Sequence, residues 1–197
     1  MSRDLRAVCV FCGSSFGSRP AYGEAARAVG RLLAGRGIAL VYGGSNVGLM
    51  GAAADACLAA GGRVTGVIPR HLVAREVAHP GLTELRIVES MHERKALMAD
   101  LADAFLALPG GFGTFDELFE TLSWSQLGLQ RKPSGVLNIE GYFDATLRLV
   151  DCAVAEGFVR PEHRALLLAD TDPENLLDRL AQYQAPAADK FATQIAR

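Results

Sequence analysis

The 197-residue chain contains no stretch approaching the roughly 20 consecutive apolar residues that a membrane-spanning helix requires, and no apolar signal core follows Met1-Ser2-Arg3-Asp4-Leu5-Arg6. A cytoplasmic protein with no membrane partner is expected. An excess of one charge is missing too: 20 Lys and Arg are interspersed with 22 Asp and Glu, for a formal net charge of −2. Without a basic run or stripe, a nucleic-acid polymer is not an expected partner. Cysteine is scarce. Of the four, Cys9 and Cys12 have a spacing found in metal and redox motifs, but they lie in an apolar run that reads as a strand, where an odd separation sends side chains to opposite faces. Buried thiols in a reducing compartment are expected, and no metal site. The G-x-x-x-x-G-K-[ST] loop of triphosphate sites is absent, as is the G-x-G-x-x-G loop of dinucleotide sites, so a smaller ligand is expected. No serine is read as an acyl-transfer nucleophile, and His71, His79, His92 and His163 are read as surface or structural residues.

What is present is a core. Half the residues are hydrophobic, enough over this length for one domain, read as 1–184 with a flexible tail over 185–197. The run Ala7 to Cys12, closed by Gly13-Ser14-Ser15, predicts a strand buried on both faces. From Pro20 the positions Tyr22, Ala25, Ala26, Val29, Leu32 and Leu33 have helical spacing, with a stop at Gly35 and Gly37. The cycle then repeats. Strands are predicted over Ile38 to Tyr42, Val64 to Ile68, Leu85 to Val88, Ala104 to Leu108, Ser134 to Ile139 and Leu166 to Ala169. Between them come an alanine-rich helix after Gly43 to Gly51, a helix from Met91, one from Thr114 to about Gln126, and one from Tyr142 to about Glu156; a last helix begins near Pro173. This alternation implies right-handed βαβ crossovers and an α/β fold with a doubly wound, mostly parallel sheet. In such sheets ligands bind outside the carboxyl ends of the strands, so the strand-to-helix loops are where chemistry is expected.

Two of those loops are rich in glycine. Pro109-Gly110-Gly111-Phe112-Gly113-Thr114 can bring backbone N–H groups to an anion at a helix's positive end, or be a tight turn with no ligand. Gly43-Gly44-Ser45-Asn46-Val47-Gly48-Leu49-Met50-Gly51 occupies the equivalent place after an earlier strand. Thr114-Phe115-Asp116-Glu117 has the form of a capping box, which accounts for Glu117 structurally; the alternative is a carboxylate kept charged to act as a base or to face developing positive charge. Ser90 to Glu93 resembles a second capping box. On the helix it starts, Arg94 shares a face with Leu97, Met98 and Leu101, so its stem lies on the core and its head reaches either solvent or the cleft.

Taken together, these residues resemble the Lonely Guy family of phosphoribohydrolases, long misnamed lysine decarboxylases. The likeness rests on Pro109 to Thr114 followed by Glu117 and on Met91-His92-Glu93-Arg94-Lys95. Supporting it are Cys12 to Ser15, Tyr42 to Gly51, Trp124 to Gly128 and Lys132-Pro133. The resemblance implies a Rossmann-like fold, usually a homodimer, that hydrolyses N6-modified adenosine 5′-monophosphate to free base and ribose 5-phosphate with no metal or organic cofactor. By motif position it makes Arg94 and Glu117 the catalytic pair. Lys95, Gly110, Gly111, Phe112, Gly113 and Thr114 would bind the nucleotide, with Ser14, Gly44, Glu76 and Ser123 at further substrate-binding positions. Ser123 stands where threonine is usual, Ser45 where a third glycine is common, and Gln130 where histidine is frequent. A helix bearing Leu118, Leu122, Trp124 and Leu127 could supply part of a dimer interface. Two other readings stay open: a decarboxylase holding pyridoxal phosphate on Lys95, Lys132 or Lys190, and a nucleotide-binding or carrier module without chemistry.

Overall fold

The computed structural model describes residues 4–73 and 78–186. Seven strands form one sheet: β1 (Ala7–Phe11), β2 (Ala39–Tyr42), β3 (Val64–Pro69), β4 (Glu84–Val88), β5 (Ala104–Ala107), β6 (Ser134–Leu137) and β7 (Leu167–Asp170). Their order is β4-β3-β2-β1-β5-β6-β7 and every pairing is parallel, which makes the fold Rossmann-like. The helices are α1 (Pro20–Gly35), α2 (Gly48–Ala59), α3 (Met91–Leu101), α4 (Phe112–Gln126), α5 (Asp144–Ala155), the single turn α6 (Pro161–Arg164) and α7 (Pro173–Gln182).

Each face of the sheet has its own core. Side chains alternate along β1, so Val8, Val10 and Cys12 pack with α1, α2 and α7, while Cys9 and Phe11 pack with α3, α4 and α5. The two cysteines thus lie in different cores, as their odd separation requires. Helices α1 and α2 meet closely because small residues face each other: a Cβ on Gly30 would stand 2.2 Å from the Ala53 carbonyl oxygen. Strand β4 closes one edge of the sheet and is half-buried to exposed along its length. Among the described residues, no helix is long and apolar enough to cross a membrane.

Several boundaries differ from the sequence pattern. Helix α4 begins at Phe112 with Gly111 as an extended N-cap, so Thr114 sits inside the first turn and caps nothing. The capping-box reading of Thr114 to Glu117 is therefore overturned. The Thr114 side chain is instead buried, and a Cβ on Gly110 would stand only 2.1 Å from its Oγ1. The box at Ser90 is real: Ser90 Oγ accepts from Glu93 N–H at 3.1 Å, and the Glu93 carboxylate reaches back one residue further than usual, to Glu89 N–H at 2.9 Å. Helix α5 starts two residues after the expected Tyr142, behind a 3₁₀ turn at Ile139–Gly141. Leu118 is fully buried in the molecule's own core and is not free for an interface, while Leu122 packs against that core part-buried. The expected tail lies, beyond Pro186, outside the described residues.

Candidate active site

From β1 the chain winds outward on one side to β4, then returns through α3 to start β5 on the other side of β1. Loops leaving β1 and β5 therefore part at their carboxyl ends, the place where doubly wound sheets bind ligands. A cleft of about 280 Å³ opens there. Its size is near the lower end for small-molecule sites and suits a mononucleotide better than a dinucleotide.

The loop after β1 lies between the two glycine-rich loops and engages them differently. Gly13 N–H donates to the Pro109 carbonyl at 3.0 Å, while the Gly13 carbonyl accepts from Leu49 N–H at 3.0 Å and Met50 N–H at 3.4 Å. The first amides of α2 are thereby spent inside the protein, and its positive end is not offered to an anion. The glycines of that loop serve close packing. Gly48 has φ +60 and a Cβ there would stand 2.3 Å from the Ser14 backbone; a Cβ on Gly51 would stand 2.1 Å from the Asn46 carbonyl oxygen. Gly44, also at positive φ, is buried behind the cleft, where its carbonyl accepts from His79 N–H at 2.9 Å.

The loop after β5 is different. No side chain caps α4, and the positions a Cβ would take on Gly111 and Gly113 have nothing within 4 Å. Both glycines line the cleft, as does Phe112 beside them, 93% exposed. Packing inside the protein does not require glycine at these two positions. The bare backbone leaves room for a ligand to approach closely, and the uncapped amides lie at the end of a helix dipole that favours an anion.

Two charged side chains reach the same cleft. Arg94, on α3, is only 5% exposed, and its Nη2 donates to the Gly43 carbonyl at 3.1 Å. A Cβ on Gly43 would stand 2.0 Å from that nitrogen, so the glycine is the space the guanidinium occupies. Glu117, on α4, follows Thr114 by three residues and lines the cleft with it. Buried Cys9 senses both groups: burial pushes its thiol up, the Glu117 charge pushes it further, and Arg94 opposes. Cys12, in the cleft wall, is also held as a neutral thiol, by burial first and by Glu117 second, which removes it as a nucleophile.

Other predicted residues fall in different places. Ser14 lines the cleft. Lys95 does not: its Nζ bridges to Asp116 at 3.1 Å and Glu120 at 3.0 Å, tying α3 to α4. Burial pulls that ammonium down, but the hydrogen bonds it donates to the two carboxylates, with their charges, outweigh it and hold the lysine above its ordinary value. Gly110 stands just behind the cleft, and Ser123 is exposed on α4 with its hydroxyl donating to the Phe119 carbonyl at 2.7 Å. Glu76 lies outside the described residues. His79 is structural: its Nε2 meets Asp55 at 2.9 Å and its Nδ1 accepts from Gly81 N–H at 3.1 Å.

The sequence pattern missed Met50, Met91 and Met98, which line the cleft from α2 and α3. Met91 and Met98 share one face of α3, but Met50 comes from a segment far away in the chain and nothing local marks it as their neighbour. Their unbranched thioethers form an adaptable apolar wall suited to the flat face of a base. It also passed over Gly13-Ser14-Ser15-Phe16-Gly17, which spells the G-x-S-x-G of hydrolase elbows. Ser15 is exposed in an open bend, and α1 does not begin until Pro20, so the strand-to-helix elbow that motif needs is missing.

A family model described as possible lysine decarboxylase matches residues 50–180. A probable cytokinin riboside 5′-monophosphate phosphoribohydrolase of Oryza sativa subsp. japonica is 51% identical, over 91% of this chain and 79% of its own. A cytokinin riboside 5′-monophosphate phosphoribohydrolase of Arabidopsis thaliana is 45% identical, over 97% of this chain and 88% of its own. Among solved structures, the molybdenum cofactor binding protein of Rippkaea orientalis superposes with a TM-score of 0.66 at 21% identity, over 90% of this chain and 96% of that one. The Moco carrier protein of Chlamydomonas reinhardtii gives 0.69 at 18% identity, over 91% and 97%. These last two likenesses are of fold alone.

Proposed function

Because the chain belongs to the family of cytokinin riboside 5′-monophosphate phosphoribohydrolases, we propose that it hydrolyses the N-glycosidic bond of an adenosine 5′-monophosphate, with or without an N6 substituent, and that Arg94 and Glu117 carry the reaction. The observation that supports this most directly is convergence: a buried guanidinium, a carboxylate and an uncapped helix N-terminus meet in one cleft of mononucleotide size.

The charges fit the reaction. As C1′–N9 breaks, its electron pair leaves with the base, and the sugar becomes a cation that water then captures at C1′. Glu117 stabilises that cation and orients the water or takes its proton. Arg94 cannot lose its charge, so it holds the nucleotide and helps the electron-rich base depart. The amides of 111–114 seat the 5′-phosphate, and the three methionines face the base.

Nothing in the site favours a decarboxylase. A pyridoxal phosphate enzyme needs a lysine in the cleft. Lys95 is tied to Asp116 and Glu120, Lys132 donates to the Ala99 carbonyl at 2.7 Å, and Lys190 lies outside the described residues. A carrier would need the phosphate seat but not a buried arginine and a carboxylate beside it.

The test is incubation with AMP and with isopentenyladenosine monophosphate, following free base and ribose 5-phosphate by chromatography. Base release is expected, and Glu117→Gln or Arg94→Ala is expected to lower kcat by ~10²-fold or more, the scale of losing a preorganised electrostatic group. Tight binding of either nucleotide without release would instead assign a carrier.

A further inference from the structure

Three consecutive carbonyls lead into the open amides of the loop after β5, and each has a donor. Pro109 O accepts from Gly13 N–H at 3.0 Å, and Gly111 O accepts from Phe115 N–H at 3.1 Å as α4 begins. Between them, Gly110 O is taken by a side chain, the Tyr142 hydroxyl. The linkage spans the loops that follow β5 and β6. Tyr142 does not line the cleft, so the carbonyl it holds points away from the space where an anion would sit.

Tyr142 is held firmly in that place. Its ring packs edge-on to Tyr22 at 5.7 Å and to Phe143 at 5.1 Å, and stacks with Phe115 at 6.4 Å. The turn that delivers it is strained: Glu140 has φ +53, the one positive φ at a non-glycine among the described residues, and Gly141 follows at φ +71. Side chains over-determine the turn. Arg19 donates to the Glu140 carbonyl at 3.2 Å; Asn138 donates to Asp144 and accepts from Phe143 N–H, both at 2.7 Å. A backbone outlier maintained by this many contacts is the kind of strain found where a residue must be aimed.

We propose that Tyr142 is a positioning residue for phosphate recognition: by holding the Gly110 carbonyl out of the cleft, its hydroxyl keeps the following amides turned toward the 5′-phosphate. Without that bond the Gly110–Gly111 peptide is free to rotate. A carbonyl rotated inward would present a negative dipole to an anion and withdraw the adjacent N–H. The inference rests on the proposed reading of this loop as the phosphate seat.

Tyr142→Phe keeps the aromatic packing and deletes only the hydroxyl. In the full chain, binding of ribose 5-phosphate and of ribose is measured by calorimetry, alongside steady-state kinetics with AMP and a thermal melt. The expected result is a ~5–10-fold weaker Kd for ribose 5-phosphate and a parallel rise in KM, the scale of one lost hydrogen bond. The same variant should keep kcat within about twofold and Tm within ~4 °C, the shift that one lost hydrogen bond brings in a chain of this length. An unchanged Kd and KM would overturn the proposal, and so would a joint fall of kcat and Tm with Kd intact, which would make Tyr142 merely structural. The wild type reports separately on the underlying reading. If it binds ribose 5-phosphate no better than ribose, the loop is not a phosphate seat and both ideas fall; if it discriminates and the variant discriminates equally, only the role of Tyr142 falls.

Discussion

A methyl group at position 43 would stand 2.0 Å from Arg94 Nη2, and that contact separates the needs of the fold from those of the site. The obstructing atom is the far end of a flexible side chain, so the fold accommodates an alanine by letting the guanidinium swing aside. On the proposed mechanism the site does not, because the guanidinium would then no longer stand where the leaving group needs it. Gly43→Ala is expected to lower kcat by ~10²-fold, as direct loss of an electrostatic group does, while Tm shifts by only a few degrees. Turnover and a thermal melt on one preparation check this, and a variant with wild-type turnover would show that Arg94 works from another position. Lys95 illustrates the converse. Its neighbour in the same motif enters the cleft, yet its own charge is consumed by Asp116 and Glu120, because adjacent helical residues point about 100° apart.

At the scale of elements, the helix ends decide which loop does what. Helices α2 and α4 both follow glycine-rich loops, but the Gly13 carbonyl occupies the first amides of one, and no side chain caps the other. A different economy operates at the far edge of the sheet, where β7 turns into α7. Asp170 accepts from Asp172 N–H at 3.1 Å and pairs with Arg179 at 3.1 Å; Asp172 in turn caps α7 through Asn175 N–H at 2.8 Å. The Asp172 amide, with Arg179 in support and against some burial, holds the Asp170 carboxyl below its ordinary value. A carboxyl depressed on folding contributes stability above its unfolded pKa of about 3.9 and loses it as pH falls through the folded value. Asp170→Asn is therefore expected to lower Tm at pH 7, with the difference from wild type shrinking as pH falls below about 4. A gap that stays constant across that range would place the effect in shape, not charge.

At the scale of the whole molecule, the family likeness carries the proposal of a homodimer, to which the part-buried Trp124 and Leu127 of α4 and its C-terminus could contribute but fully buried Leu118 could not. The inward faces of Leu118 and Leu122 belong to the protein's own core. What remains outside includes Phe112 at the cleft mouth, 93% exposed, and Leu149 and Phe158 at and just beyond α5, 61% and 84% exposed. Light scattering at micromolar concentration is expected to return twice the chain mass of 20.9 kDa. A monomer that still releases base would show that one chain suffices for the site.

The sequence by itself determined the fold class and the order of its elements, because apolar periodicity and glycine stops are local properties: β1 reads as a doubly buried strand from six consecutive letters, and α1 from Pro20 to its glycine stop. It also marked Arg94 and Glu117, which sit in compact motifs. Tertiary structure alone decided the division of labour between the two glycine loops, since that depends on the Gly13 carbonyl, some thirty residues from the helix it caps and nearly a hundred from the loop on its other side. It alone moved the start of α4 ahead of Thr114, buried that side chain against Gly110, and so withdrew the capping explanation for Glu117. The methionine wall and the Tyr142 brace were invisible for the same reason. Each is a contact between segments that meet only at the carboxyl end of the folded sheet, and a one-dimensional pattern records spacing along the chain, not proximity across it.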